Sequence, residues 1–239
     1  MSMTDKVATI AENVPKVYEA GKKAGNYEEW NKFWDNFQDY GNATGYTHIF
    51  RSKNWNDENF KPKYSIVPSA SNFQYTFYQS GITNLAQILE KCNVALNIEN
   101  VTLLYYSFAS SAITHIPTLN AIKCNNFQNM CNGCANLLSI EKIIVNKDLL
   151  TNSSFTGCFT GCYALEEIRF EGEISCNGLN LQWSTKLSHD SLMNILNCLQ
   201  DKTNDASGTV WKVTVGAGNV AKLTETEKEI AHNKGWVVE

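Results

Sequence analysis

The chain has 239 residues, enough for one or two folded units. Apolar residues make up 43% of it, aromatic residues 11%, and the net charge is only -4, a composition typical of a globular protein and not of a disordered one. This mildly acidic balance, with no run of Lys or Arg, argues against nucleic acid or an anionic membrane as the main partner.

The first residues of the sequence lack the apolar stretch of a signal peptide, and no stretch reaches the roughly 18 apolar residues of a membrane span. We therefore expect a protein that is neither inserted in a membrane nor exported by the general secretory route. The eight cysteines are then expected to be reduced thiols with a packing role, since disulfides belong to oxidising compartments.

Residues 1–26 carry apolar side chains at spacings of three and four. These are Val7, Ile10, Val14 and Val17. Such a seam is typical of helices that self-associate, although Pro15 interrupts it. We interpret residues 1–26 as a helical attachment and oligomerisation segment. The alternative is a helix that packs on its own protein.

Residues 27–70 begin with the stretch YEEWNKFWDNFQDYG, whose aromatic residues recur on one helical face until Gly41 ends the helix. The remainder of this range is rich in Asn, Asp, Ser and Pro, which favours irregular structure. We interpret residues 27–70 as an aromatic helix and an irregular N-terminal cap. The cap would cover the apolar end of the unit that follows.

Four stretches within residues 71–183 fit one template. They run from Phe73 to Leu85, from Leu104 to Ile116, from Phe127 to Ile140 and from Phe155 to Ile168. Each has an apolar residue, a second one four positions later, then Ser or Cys, then two more apolar positions. Variable repeats of this length predict a solenoid, in which successive coils stack and bury one continuous core. The second apolar position is predicted to form one interior column of Phe77, Phe108, Cys131 and Phe159.

The third and fourth stretches, CNGCANLLSIEKIIV and FTGCYALEEIRFEG, resemble the BspA-type leucine-rich repeat, whose pattern is Phe-x-x-Cys-x-x-Leu-x-x-Ile-x-apolar. The resemblance extends over about residues 73–183, with Ser80 and Ser111 in place of the cysteine in the first two stretches. It implies an α+β fold, in which a short, irregular leucine-rich-repeat solenoid follows N-terminal helices.

The pattern of residues 184–239 predicts a helix-strand-helix-strand cap at the C-terminal end of the solenoid. Ser188 is placed to cap the first helix, and a strand that starts at Val210 is expected to end in a turn at Gly216 and Gly218. Thr224 and Glu227 have the spacing of a capping box for the second helix, and Gly235 is placed to end it.

The flanking stretches TIAENVPKVYEAGKKAG and KLTETEKEIAHNKGW resemble accessory proteins of bacteriophages and prophages of Gram-positive gut bacteria. This resemblance implies a non-enzymatic virion protein, in the tail or capsid, that attaches to other virion proteins through its N-terminus. Its repeats would be displayed to a host cell-surface protein or glycan. The alternative is a cytoplasmic interaction module that binds or inhibits a host protein.

Four tyrosines are the side chains that we expect to face a ligand. They are Tyr75, Tyr78, Tyr105 and Tyr106. Amphipathic aromatic rings suit both saccharides and protein partners. Packing between neighbouring repeats explains these rings equally well.

Zinc is the strongest chemical alternative, because two cysteine pairs supply four thiols. The pairs are Cys131 with Cys134 and Cys158 with Cys162. Repeat alignment favours packing, since Cys134 and Cys162 fall at the position of Ser80 and Ser111. We therefore expect no metal and no cofactor.

Catalytic residues are not expected either. The histidines are His48, His115, His189 and His232, and none lies in a nucleophile-base motif. The acidic cluster of Glu166, Glu167, Glu171 and Glu173 has the residue type that a glycosidase needs, but strand alternation directs Glu171 and Glu173 to solvent.

Overall fold

The structure, a computed structural model, describes residues 71–85 and 98–239. The predicted helices of residues 1–26 and 27–70, including the apolar seam from Val7 to Val17, lie outside these residues. The elements are the strands β1 (His115–Ile116), β2 (Leu119–Asn120), β3 (Ser139–Ile144), β4 (Glu167–Glu171), β5 (Trp211–Val213) and β6 (Trp236–Val238), and the helices α1 (His189–Cys198), α2 (Ala217–Val220) and α3 (Glu225–His232). The fold therefore mixes helices and sheets.

Strand β3 is the centre of a parallel sheet. Strands β1 and β2 pair with one of its edges, and β4 pairs with the other. His115 pairs with Ser139, which pairs with Glu167, and an isolated bridge joins His115 to Asn84. The repeat template equates these four residues, so equivalent positions lie next to one another in the sheet.

A second row of parallel hydrogen bonds joins the turn-rich parts of the repeats. The backbone nitrogen of Phe77 donates to the oxygen of Ser107, that of Phe108 to Met130, and that of Cys131 to Cys158, over 2.7–2.9 Å. Each acceptor immediately precedes the next residue of the predicted column. The four segments therefore lie side by side in this row as well.

Each segment bends at the same two template positions, which adopt left-handed backbone angles. These residues are Tyr75, Gln79, Tyr106, Ser110, Asn129, Gly133, Gly157 and Gly161, with φ between 54° and 76°. Left-handed backbone costs roughly 1–2 kcal/mol for residues other than glycine. Glycine removes this cost at both bends of the fourth segment, whereas the first two segments bend at larger residues.

The core runs through the interior of the stacked segments. Phe77, Phe108, Cys131 and Phe159 are all at most 2% exposed. Rings from neighbouring segments stack, with centroids 5.4 Å apart for Phe77 and Phe108 and 4.8 Å apart for Phe127 and Phe155. Residues distant in sequence thus share one apolar interior.

Helix α1 occupies the place beside β4 where another strand would otherwise pair. The backbone nitrogen of Ser188 donates to Glu166, and that of Glu166 donates to Leu138, so one hydrogen-bond row continues to the start of the helix. Helix α3 packs against α1, and β5 pairs in parallel with β6. Within the described residues, no helix is long and apolar enough to cross a membrane.

The predicted helix caps are confirmed, but the glycines after β5 behave differently from expectation. Ser188 caps α1, and Thr224 and Glu227 form a capping box on α3. Gly216 and Gly218 were predicted to form a turn, whereas the structure has the one-turn helix α2 from Ala217. The buried side chain of Asn219 holds this helix in place, because its amide donates to the backbone oxygens of Ser184 and Val215.

Replacing Thr224 with alanine is expected to lower the free energy of unfolding by about 1 kcal/mol. The hydroxyl of Thr224 accepts from the backbone nitrogen of Glu227, and the Glu227 carboxylate accepts from that of Thr224. Urea unfolding measures the loss, with Thr226→Ala as the matched control in the same helical turn. Equal stability of Thr224→Ala and Thr226→Ala would contradict the capping box.

Candidate binding surface

The four tyrosines predicted to face a ligand come together in one cluster across the first two segments. Tyr75 and Tyr106 stack with ring centroids 5.3 Å apart, and Tyr105 meets Tyr106 edge-on at 4.5 Å. Tyr78 packs against both Tyr75 and Tyr106. Burial, reinforced by the neighbouring tyrosines, raises the pKa of Tyr75 and Tyr106. All four rings are half-buried, so they pack on one another and also contribute to the surface.

Polar side chains continue this surface into the third segment. Asn129 stands at the left-handed position held by Tyr75 and Tyr106, and it accepts a 2.9 Å hydrogen bond from the side chain of Asn132. Its side chain lies where a Cβ atom on Gly157 would stand. The stacked rings of the first two segments thus give way to an amide pair lying over glycine.

Two aromatic residues that the sequence analysis did not single out end the surface. Tyr163 is 55% exposed and Trp183 is 41% exposed. Their rings meet edge-on at 5.9 Å, and Tyr163 also lies against Gly161. This pair is the most exposed aromatic contact within the described residues.

Trp183 belongs to a fifth segment that the alignment did not include. The backbone nitrogen of Ser184 donates to Leu181, and that of Leu187 donates to Ser184. The same hydrogen bonds link Phe159, Cys162 and Leu165 in the fourth segment. Leu181 and Ser184 therefore correspond to Phe159 and Cys162.

We call the turn-rich sides of these five segments the turn face. It comprises residues 73–81, 104–112, 127–135, 155–163 and 177–185. No Asp, Glu, Lys, Arg or His occurs in these ranges, although such residues are frequent elsewhere. The exposed ion pairs Lys142 with Glu171 and Lys147 with Glu173 lie on and after the strands. The residues of the turn face are therefore uncharged, and Lys222, outside these ranges, donates to the backbone oxygen of Thr185 at its edge.

The cysteines of the third and fourth segments are buried under the turn face. Cys134 donates to the oxygen of Phe108 at 3.0 Å, and Cys162 donates to that of Cys131 at 3.2 Å. Burial raises the pKa of Cys131 and Cys158 well above the usual range of a thiol. Within residues 71–85 and 98–239, no group of three or more His, Cys, Asp or Glu side chains is arranged to hold a metal ion.

Thiol reactivity should follow burial. The seven cysteines within the described residues are free thiols, and six of them are buried. Burial raises the pKa of Cys124 and of Cys176 to about 12; it also raises the pKa of Cys198, but this thiol is partly exposed. In folded protein at pH 8, iodoacetamide should therefore label Cys198 before these two.

Mass spectrometric peptide mapping reports each thiol separately, and protein unfolded in urea gives the fully labelled control. Equal labelling rates for Cys124, Cys176 and Cys198 in the folded protein would contradict the packing of these segments.

The described histidines and the acidic cluster have exposed, local partners. His115 hydrogen-bonds to the hydroxyl of Thr114, and His189 lies 2.8 Å from Glu227. His232 contacts Glu229, and His48 lies outside the described residues. Glu171 and Glu173 pair with lysines, Glu167 accepts from Ser191, and Glu166 is exposed at the surface.

No protein-family model, curated protein or solved structure matches this chain. The turn face is the candidate functional surface of the described residues. Tyr106 and Trp183 lie near opposite ends of this face, and uncharged polar residues lie between them. Aromatic rings with neutral polar side chains between them suit the binding of a ligand.

Proposed function

We propose that this chain is a non-enzymatic, virion-associated protein of a bacteriophage that displays a BspA-type leucine-rich-repeat surface to its host. The observation that supports this proposal is the side-by-side packing of the segments, which joins their exposed side chains into one turn face. Each segment adds contact area next to the previous one. An extended surface of this kind gains affinity from many weak contacts without any chemical step.

Attachment to the particle is assigned to residues 1–26. Val7, Ile10, Val14 and Val17 supply the apolar seam, which would pair with another copy of the chain or with another virion protein. Several copies on one particle would bind a repetitive host surface with higher avidity than one copy. A location in the tail and a location in the capsid would both place several copies on one particle.

Purified virions test the proposal. Quantitative mass spectrometry across a density gradient should find this protein in a constant ratio to the major capsid protein. Virions that carry Ile10→Asp and Val14→Asp should lose it, because charges in an apolar seam prevent pairing. Virions that carry Val210→Ala, a change at an exposed residue, should retain it. Presence in the cell lysate and absence from gradient-purified particles would contradict the virion assignment.

The competing proposal is a module that acts inside the host cell by binding or inhibiting a host protein. The seven free thiols among the described residues are compatible with a reducing compartment. Absence from virions, combined with recovery of one stoichiometric host protein on the tagged full-length chain, would favour this alternative. Loss of that partner on Trp183→Ala would place the contact on the turn face.

A further inference from the structure

The side chains exposed on the turn face are of a restricted kind. From the second segment to the fifth they are amides, hydroxyls, aromatic rings, glycine and alanine, and the larger aliphatic residues in these ranges are buried. The large aliphatic residues that the structure does expose lie elsewhere, at Ile122, Leu138, Val210 and Val237. The face thus combines aromatic rings with neutral hydrogen-bonding groups.

We infer that the turn face binds an uncharged polysaccharide. This inference rests on the proposed display function and names the class of ligand. A sugar ring has one face of C–H groups, which packs against an aromatic ring, and a rim of hydroxyls, which pair with amides and hydroxyls. A polyanionic glycan would instead require Arg or Lys, and the turn face has neither.

The positions of the aromatic rings suit an extended chain of sugars. Tyr105 and Tyr106 lie in the second segment, whereas Tyr163 and Trp183 lie in the fourth and fifth. At one strand spacing of about 4.8 Å per segment, the second and fifth segments are roughly 14 Å apart. This span exceeds a single sugar ring, so several consecutive sugars would be bound.

The strip between the aromatic ends carries glycine and polar residues, and its segments pack closely. A Cβ atom on Gly161 would lie 3.4 Å from the Cα atom of Gly133, and one on Gly133 would lie 3.1 Å from the hydroxyl of Ser110. Asn132 lies beside this strip and donates one amide hydrogen to Asn129. Of these residues, Gly133 is exposed and Asn132 is half-buried, so a ligand lying between the two pairs of rings can contact a backbone and an amide group there.

A protein partner fits this face less well. The central residues of protein interfaces are enriched in Met, Arg and aromatic residues, and the turn face exposes neither Met nor Arg. Surfaces rich in Tyr, Ser, Gly and Asn do bind proteins in antibodies. Protein recognition is accordingly one outcome of the test.

Affinity electrophoresis of the full chain in native gels tests the inference. The gels contain starch, laminarin, glucomannan, galactomannan or arabinoxylan, and dextran sulfate serves as the anionic control. Retardation by at least one neutral polysaccharide is expected. Trp183→Ala and Tyr163→Ala should each weaken it about tenfold, because each removes an exposed stacking ring. Ile122→Ala, a change at an exposed residue outside the turn face, should leave it unchanged.

Host cells provide the second arm, in which cell binding by the full chain is measured after periodate oxidation or proteinase K treatment. Loss of binding after periodate only, together with loss in Trp183→Ala, supports a polysaccharide ligand. Loss after proteinase K only would overturn this inference in favour of a protein ligand and leave the display function standing. Retardation by no neutral polysaccharide together with no periodate-sensitive cell binding would also overturn it. Failure of the display function itself is detected separately, by absence from virions.

Discussion

Replacing Gly172 with alanine is expected to lower the free energy of unfolding by about 3 kcal/mol or more. Gly172 directly follows β4 and has a φ of 93°, which L residues rarely adopt. A Cβ atom at this position would overlap the carbonyl oxygen of Val145 and lie 3.3 Å from its carbonyl carbon. Because the nitrogen of Val145 donates to Glu171 at 2.9 Å, the backbone cannot move away without breaking this contact between segments.

Gly208 provides the matched control. It also has a positive φ, of 73°, but a Cβ atom there would meet no atom within 4 Å. Gly208→Ala should therefore cost only about 1 kcal/mol, from backbone conformation alone. Urea unfolding of both variants measures the difference. Equal losses in Gly172→Ala and Gly208→Ala would show that the third and fourth segments do not approach each other as described.

Replacing Phe155 with alanine is expected to cost about 3–5 kcal/mol, the usual range for a buried aromatic residue truncated to alanine. Phe155 is fully buried in the fourth segment. It stacks on Phe127 of the third segment at 4.8 Å and meets Phe170 of β4 edge-on at 5.9 Å. Replacing it removes the ring contacts with both Phe127 and Phe170.

The controls for Phe155→Ala separate burial from aromatic content. Tyr163→Ala removes an aromatic ring of similar size from the surface of the same segment and should change stability by at most about 0.5 kcal/mol. Phe155→Leu refills most of the space and should lose clearly less than Phe155→Ala. A loss for Tyr163→Ala as large as that for Phe155→Ala would contradict the assignment of interior and surface.

Sequence periodicity was sufficient to identify the buried template positions. Apolar side chains such as Phe108 and Phe159 recur at fixed positions, and these positions are buried in all four segments. Cys131 was aligned with them because it keeps the spacing. The fifth segment was missed although Leu181 and Ser184 fit the template, because Asn177 and Asp190 stand at template positions that are apolar in the other segments.

The two left-handed bends in each of the first four segments were not predicted from the sequence. Glycine signals such bends at Gly157 and Gly161, but the same positions are Tyr75 and Gln79 in the first segment. Neighbouring hydrogen bonds enforce the bend there, since Tyr75 donates its backbone hydrogen to Tyr105 and Gln79 donates to Ala109. Backbone pairing between segments thus overrides the local preference of Tyr75 and Gln79 for a negative φ.

The candidate surface was predicted in part. The tyrosines were chosen for their chemistry, and the structure places all four in one cluster. Tyr163 and Trp183 were missed, because their exposure depends on the path of the chain between the fourth and fifth segments. The absence of charge from the turn face could have been read from the sequence once the segments had been aligned, and alignment of a fifth segment would have included Trp183.

A designed disulfide tests the side-by-side packing most directly. His115 and Ser139 are paired neighbours on β1 and β3, whereas His115 and Glu167 are separated by β3. Paired residues on adjacent strands lie about 4.8 Å apart, within the range of a disulfide, and residues two strands apart lie about 9.6 Å apart, beyond it. Under mild oxidation, the variant with His115→Cys and Ser139→Cys should form the crosslink, as detected by mass spectrometry. The variant with His115→Cys and Glu167→Cys should not. The reverse result, or no crosslink in either variant, would contradict the stacked arrangement.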